Sequence, residues 1–259
     1  MVRLIRHDRP AQLAAAVWVI LAGVVPLSAL ACRAADSTSA PANVLLFNGR
    51  GTSPNDVAAV KRSLHDSHLS YSIADSPRLD AMDEPELRAY RLLIVPGGNF
   101  EQIGYGLKPQ TTARLRSAIR HGLNYLGLCA GAFFAGDSPF NGLNLTSGVR
   151  FTFYAAENLG VHKAAIPIAI AGSLALDNYW EDGPQLTGWG SVVGRYPDGK
   201  PAIVEGRVGQ GWAILSGVHP EAPDSWRRGL TFATPAVIDN AYAETLIDAA
   251  LNGKTLAHY

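Results

Sequence analysis

The feature that most constrains the fold is a five-residue segment, Gly127-Leu128-Cys129-Ala130-Gly131, that joins two hydrophobic patterns. Residues 124–128 have the composition of a buried strand, and residues 130–135 suit the start of a helix. A central residue flanked by glycines at such a junction occupies a sharp turn at the carboxyl edge of a sheet, because side chains at the flanking positions would collide with the neighbouring elements. The segment therefore predicts a strand, a tight turn and a helix that together present the Cys129 thiol.

The rest of the chain favours an α/β fold. Apolar strand patterns alternate with amphipathic helix patterns in the first half, which predicts βαβ units and a mostly parallel sheet. Between residues 150 and 215 several strand patterns are separated by short turns instead, which predicts an antiparallel extension of that sheet. The predicted strands are residues 43–47, 71–73, 92–95, 124–128, 151–154, 165–170, 202–208 and 212–215, and the predicted helices begin near Ser53, Thr111, Ala130 and Asn240.

The first 42 residues differ from the remainder. Three arginines precede residues 11–31, which carry no charge, and small residues follow. This order is typical of an export signal, although the apolar run is also long enough for an uncleaved membrane anchor. We expect residues 1–42 to be a signal or anchor with a short linker, residues 43–259 to form one domain, and the protein to be periplasmic or envelope-attached.

The two cysteines receive different predictions. Cys32 ends the apolar run, where an acylated cysteine of a lipoprotein would stand, but Leu30 precedes it by two residues rather than the usual three. Removal of Cys32 with the signal is the alternative. Cys129 is then the only cysteine of the mature domain, so it is either a buried packing residue or a reactive thiol.

Charge and composition exclude several classes of function. The formal net charge is 0 and no basic cluster is present, so nothing indicates nucleic-acid binding. His65, His68, His121 and His162 show no metal-ligand pairing with cysteine or with a second histidine, and we predict neither a metal nor a cofactor. Contact with a membrane is expected only through the N-terminal segment.

A second motif, His219-Pro220-Glu221, follows the last predicted strand. Residues i and i+2 of an extended chain point to the same side, and proline keeps the residue before it extended. His219 and Glu221 can therefore face one site, where the imidazole would accept the proton of the Cys129 thiol and the carboxylate would orient the ring. An ordinary surface turn is the alternative for this motif taken alone.

Together the motifs resemble the class I glutamine amidotransferases, and more closely the family named for the N-terminal domain of biotin–protein ligases. Four segments carry the resemblance: Asn48-Gly49 with Gly51 and Ser53, residues 95–98, residues 125–132 and residues 215–221. The resemblance implies a flavodoxin-like three-layer α/β sandwich with a Cys129, His219 and Glu221 triad. Glutaminases of this class have a polar pair after the turn, whereas this chain has Ala132-Phe133-Phe134, so glutamine is not the expected substrate.

Acyl transfer also requires an oxyanion hole. We expect one donor to be the backbone N–H of Ala130 and the other to come from Gly97, Gly98 or Asn99, with Gly98 preferred. Weaker candidates for substrate contact are Arg50, Asn99, Tyr179 and Trp180. The segment around Tyr179 could line the mouth of the site, but we expect it to be a solvent-exposed loop, and Arg50 could equally be an ordinary loop residue.

The expected function is a thiol hydrolase or amidase that cleaves an amide or ester of a small-molecule or peptide-like substrate through a thioester. A non-catalytic ligand-binding module that keeps the pocket is the alternative, and an envelope-attached structural protein is a third.

Overall fold

The computed structural model describes residues 42–154 and 159–259. The predicted export signal and Cys32 lie outside the described residues, so the domain boundary at residue 42 stays a prediction. In the described ranges no helix combines the length and the apolar character needed to cross a bilayer.

The first half of the domain alternates strands and helices. These elements are β1 (Val44–Phe47), α1 (Pro54–Asp66), β2 (Tyr71–Ala74), α2 (Ser76–Ala81), α3 (Glu84–Arg88), β3 (Leu92–Val95), α4 (Phe100–Tyr105), α5 (Pro109–Arg120), β4 (Asn124–Leu128) and α6 (Ala130–Ala135).

The second half is mostly β-structure. These elements are β5 (Thr152–Phe153), β6 (Lys163–Ile170), β7 (Leu176–Glu181), β8 (Pro184–Gln185), β9 (Ser191–Arg195), β10 (Pro201–Val208), β11 (Gly211–Ser216), α7 (Asp224–Arg227) and α8 (Ala236–Asn252).

Nine of these strands form one mixed sheet in the order β2-β1-β3-β4-β11-β10-β9-β6-β7. The first five are parallel to one another, and β10, β9, β6 and β7 continue the sheet by antiparallel pairing. The remaining two strands, β5 and β8, form a separate ribbon. The predicted α/β class, with a parallel sheet and an antiparallel extension, is confirmed.

The hydrophobic core lies on both faces of the sheet. Leu45 and Phe47 of β1 pack into a cluster with residues of α4, α5 and α6, whereas Val44 and Leu46 pack into a second cluster with residues of α1 and α8. Successive strand residues point to opposite faces, so a strand covered on both sides is apolar throughout. This burial explains the uninterrupted apolar runs of β1 and β3 and produces the three-layer sandwich.

The structure differs from the prediction most clearly at β7. The polar and aromatic segment around Tyr179 was expected to be a solvent loop, yet it pairs with β6 along most of its length. Its polar residues have tertiary partners: Asp177 accepts a hydrogen bond from Ala233 N–H at 2.6 Å, and its own N–H donates to the Thr234 hydroxyl at 3.0 Å. These contacts come from a distant segment and could not be deduced from local composition.

Candidate active site

Cys129 stands at the turn between β4 and α6 in a strained backbone conformation, with φ 47° and ψ −103°. Its backbone N–H donates to Ser216 O of β11 at 2.8 Å. The flanking glycines are required sterically, because a Cβ on Gly131 would lie 2.0 Å from Val95 O and one on Gly127 would lie 2.6 Å from Gly131 O. The turn thus holds the cysteine at the carboxyl edge of the parallel sheet.

His219 follows β11 and is almost completely buried, with 3% of its surface exposed. Its backbone N–H donates to Tyr179 O of β7 at 2.8 Å, and its ring lies against the rings of Tyr179 and Trp226. Nδ1 of the ring lies 2.9 Å from Oε1 of the buried Glu221. A carboxylate at Nδ1 favours the proton on that nitrogen, which leaves Nε2 free to accept a proton.

Cys129 and His219 line the same cavity, which has a volume of about 600 Å³. The Cys129 thiol donates to Glu181 O at 3.5 Å. Burial lowers the pKa of His219, but the Glu221 carboxylate and the Cys129 sulfur outweigh it, so that this pKa lies well above the ordinary range. The surroundings of the ring therefore favour an imidazolium beside the sulfur.

Asp56 is a further member of the cluster that the sequence motifs did not identify as a site residue. It lies in the first turn of α1 and is buried, and its Oδ1 is 3.3 Å from His219 Nδ1. Gly97 allows this approach, since a Cβ there would lie 2.0 Å from Asp56 Oδ1 and 2.8 Å from His219 Cε1. The position of Asp56 in the chain could have identified it as a site residue, because α1 follows β1 and the carboxyl end of β1 lies at the same edge of the sheet as Cys129.

The three residues Asp56, His219 and Glu221 also have the donor set of a metal site, with one atom from each within 4.8 Å of the others. Within the described ranges, Asp56 Oδ1 and Glu221 Oε2 are buried and accept no hydrogen bond. A cation held there by Nδ1 would displace the hydrogen bond to Glu221. Metal binding and orientation of the ring by Glu221 are thus mutually exclusive uses of the cluster.

Two backbone N–H groups suited to an oxyanion belong to residues that line the same cavity as the thiol. Ala130 begins α6, so its N–H has no carbonyl one turn earlier in the helix. Gly98 forms a β-bridge with Thr52 that uses the N–H groups of the flanking residues Ser53 and Asn99, which donate to Gly97 O and Gly51 O. The bridge therefore uses the N–H of Asn99 as a donor but does not use the N–H of Gly98. Both Ala130 and Gly98 line the cavity.

Gly98 itself is constrained to be glycine. Its φ is 141°, and a Cβ would lie 2.1 Å from Gly51 O. The close approach of the two loops thus positions the Gly98 peptide.

The weaker candidates separate into two groups. Asn99 and Tyr179 line the cavity. Arg50 and Trp180 are not among its lining residues: the guanidinium of Arg50 donates twice to Gln102 Oε1, and Trp180 is fully buried in the core, where its indole N–H donates to Gly183 O. Arg50 and Trp180 therefore have structural partners that account for their positions.

Known proteins resemble this chain in sequence and in fold. Residues 42–141 match the family described as "Biotin-protein ligase, N terminal"; Cys129 lies within the match, and His219 and Glu221 lie beyond it. A biotin–protein ligase of Schizosaccharomyces pombe is 26% identical over 213 residues, which cover 69% of this chain and 33% of the yeast protein. The chain thus spans about one third of the length of that relative.

Two solved structures support the fold. A glutamine amidotransferase structure superposes with a TM-score of 0.56 at 19% identity, covering 80% of this chain and 98% of the other. A glutamine amidotransferase from Thermotoga maritima superposes with a TM-score of 0.52 at 13% identity, covering 81% and 98%. The resemblance predicted from the sequence is thereby confirmed: this chain is similar over residues 42–141 to the biotin-protein ligase N-terminal family, and its domain has the class I glutamine amidotransferase-like fold.

Proposed function

We propose that this domain is a thiol hydrolase that cleaves an amide or an ester through a thioester on Cys129. The observation that carries the proposal is the buried His219 ring, hydrogen-bonded to Glu221 at Nδ1 and lining one cavity with a cysteine on a strained turn. A nucleophile, a base and a residue that orients the base are the parts that covalent acyl transfer requires.

In the proposed reaction the Cys129 proton first passes to His219 Nε2, which gives the thiolate and imidazolium pair that the surroundings of the ring favour. The sulfur then attacks the carbonyl carbon of the substrate. The resulting oxyanion accepts hydrogen bonds from the N–H groups of Ala130 and Gly98. His219 then donates its proton to the departing amine or alcohol, which leaves a thioester. Water, deprotonated by His219, attacks the thioester, and the acid and the free thiol are released.

The proposed role of the two carboxylates follows from the same geometry. Glu221 accepts from Nδ1 and fixes the orientation of the ring, which leaves Nε2 as the nitrogen that serves the thiol in the proposed reaction. Asp56 adds a second negative charge 3.3 Å from Nδ1 and stabilises the imidazolium that forms during attack. Both groups act on the ring rather than on the substrate.

A ligand-binding module is the second candidate function. Cys129 is only 6% exposed, and its thiol already donates to a carbonyl oxygen, which are also properties of a cysteine with a packing role. In that case the cavity would bind a ligand without forming a covalent bond to it.

Turnover of a panel of amides and activated esters, with mass spectrometry of the trapped intermediate, distinguishes the two functions. We expect hydrolysis by the wild type, an acyl adduct on Cys129, and loss of both in Cys129→Ser. His65→Ala is a matched control, because the side chain of that histidine is 85% exposed on α1. Ligand binding without hydrolysis or any adduct would support the binding module instead, and hydrolysis that survives in Cys129→Ser would show that Cys129 is not the nucleophile.

We further propose that the protein is exported and periplasmic or envelope-attached. The support is the sequence of residues 1–42, in which a basic start precedes an apolar run and small residues.

A further inference from the structure

Three phenylalanine rings form a continuous wall of the cavity that contains Cys129. Phe100 and Phe133 stack with centroids 4.5 Å apart, and Phe153 packs against Phe133 at 4.9 Å and against Phe100 at 6.2 Å. All three line the cavity. They come from α4, α6 and β5, so three separate segments converge to build this aromatic wall.

The aromatic wall adjoins both parts of the proposed reaction centre. Phe133 lies one helical turn after Cys129, and its N–H donates to Cys129 O at 3.1 Å. Phe100 is the first residue of α4, two positions after Gly98. The aromatic wall is thus built from residues that lie close in the chain to the nucleophile on one side and to an oxyanion donor on the other.

The outer end of the aromatic wall is accessible. Phe153 is 37% exposed, whereas Phe133 is 4% exposed and the neighbours Phe151 and Tyr154 are buried. A partly exposed aromatic ring in a concave site, continuous with buried rings, offers apolar area that a ligand can cover.

Several polar groups of the cavity belong to other segments. Glu181 and Tyr179 belong to β7, and the phenolic O–H of Tyr179 donates to Glu181 Oε2 at 2.7 Å. Ser225 is the second residue of α7, and Arg228 immediately follows that helix. The aromatic wall beside the thiol therefore contains no side chain that could hydrogen-bond to the amide of a glutamine substrate. It does provide extensive contact for an apolar group.

We infer that the substrate carries an aromatic or bulky aliphatic group within a few bonds of the scissile carbonyl, and that Phe100, Phe133 and Phe153 bind this group. The inference rests on the proposed function, because it takes Cys129 as the atom that attacks. It names the chemical class of the substrate as an amide or ester of an apolar acid, such as an arylacetyl or a branched acyl compound.

Two alkylating agents that differ only by an apolar group test the inference. Iodoacetamide and N-benzyliodoacetamide are allowed to react with the full chain, and labelling of Cys129 is followed by peptide mass spectrometry. Each rate is divided by the rate of the same reagent with a small free thiol. We expect the normalised benzyl rate to exceed the other by about tenfold, because the ring is bound before reaction.

Variants then test whether the aromatic wall causes the preference for the benzyl reagent. Phe153→Ala, at the exposed end, is expected to lower the benzyl preference, which is the ratio of the two normalised rates, at least threefold. Tyr105→Ala is the matched control, because Tyr105 is an exposed aromatic residue outside the cavity lining. Thermal midpoints of all variants verify folding.

The outcomes separate the inference from the proposed function. Fast labelling by iodoacetamide with no benzyl preference, or a preference that Phe153→Ala leaves unchanged, would overturn the inference and leave the thiol hydrolase intact. Labelling by both reagents at or below the rate of the small thiol would overturn the proposed function and the inference with it.

Discussion

At the scale of single residues, the unusual feature is that one imidazole nitrogen faces two buried carboxylates. Nδ1 of His219 lies 2.9 Å from Glu221 and 3.3 Å from Asp56, and the first of these contacts is a hydrogen bond. A single N–H cannot satisfy both acceptors fully, and buried negative charge is costly unless it is compensated. The cluster is therefore expected to stabilise the positive form of the ring, which is the form produced when Cys129 loses its proton.

The first prediction concerns the reactivity of Cys129 at neutral pH. We expect iodoacetamide to label it faster than a small free thiol, because the neighbouring imidazolium stabilises the thiolate. His219→Ala should slow labelling by roughly 10- to 100-fold, and Glu221→Gln by only a few-fold, because orienting the base is secondary to accepting the proton. Alkylation reactions that are quenched at set times and analysed by peptide mass spectrometry give these rates. Labelling that requires denaturation would identify Cys129 as a packing residue.

The second prediction concerns Asp56. Asp56→Asn keeps the size of the side chain but removes one negative charge beside the ring. We therefore expect the pKa of His219 to fall and alkylation of Cys129 to slow by roughly threefold or more. NMR titration of the His219 ring and the pH profile of alkylation measure the two effects.

Asp66→Asn is the control for Asp56, since Asp66 ends the same helix and its side chain is 51% exposed. If Asp56→Asn alters only the thermal midpoint, Asp56 has a packing role and no part in tuning the ring.

At the scale of secondary structure, the parallel half of the fold was predictable because its signals are local. The bounds of β3, β4 and α6 agree with those expected, since each strand is a short apolar run bounded by proline or glycine. The cap of α1 was also predictable: Ser53 accepts from Asp56 N–H at 3.3 Å, and Pro54 occupies the first turn. Strand β7 was not predictable, because its polar residues are satisfied by a segment more than 50 positions away in the chain.

The same distinction applies to the candidate site. Each of the two motifs is contiguous, so the residues of the turn at Cys129 and of the His219 segment could be identified from spacing alone. The contact of Asp56 with His219 joins α1 to the segment after β11, which are 163 positions apart in the sequence. The aromatic wall likewise depends on a β5–β8 ribbon whose pairing has no local signature.

The third prediction concerns the docking of α8. Asp239, in the first turn of α8, accepts from Arg227 of α7 at 2.9 Å and from the Thr234 hydroxyl at 3.1 Å. Burial raises the pKa of Asp239 to about 6, although the hydrogen bond from Thr234 and the Arg227 charge act in the opposite direction. The folded state therefore holds this proton at pH values at which the unfolded chain has released it.

The sign of the pH effect follows from that difference. Between about pH 4 and pH 6 the folded state binds more protons at this site than the unfolded state does, so stability falls as the pH rises, by at most about 1.4 kcal/mol per pH unit. Other carboxyl groups titrate in the same range, so the informative quantity is the difference in unfolding free energy between wild type and Asp239→Asn. That difference should change across pH 4 to 6 and be constant above pH 7. A difference independent of pH would show that the pKa of Asp239 is the same in the folded and unfolded states.

At the scale of the whole molecule, the strand order explains why the candidate site forms where it does. Strands β1, β3, β4 and β11 are adjacent and parallel. The segments that follow them supply Asp56, Gly98, Cys129 and His219 respectively. Four adjacent strands of one sheet therefore place a carboxylate, a backbone donor, a thiol and an imidazole at the same carboxyl edge, where α/β folds bind ligands.

The last prediction concerns the N-terminal segment and the location of the protein. Residues 11–31 carry no charge, as expected of a segment that is removed on export. We therefore expect a chain that begins at Ser37 to fold cooperatively, with a thermal midpoint within about 2 °C of the mature protein, which corresponds to less than about 1 kcal/mol.

In bacteria that process export signals, the full chain should be recovered from the periplasmic or envelope fraction. Its new N-terminus, read by mass spectrometry, should lie near residue 32. An acyl group on Cys32 would identify a lipoprotein, and an intact N-terminus in the membrane fraction would identify an anchor. A shortened chain that is insoluble or loses cooperative unfolding would show instead that the segment belongs to the folded domain, and the proposed localisation would then be wrong.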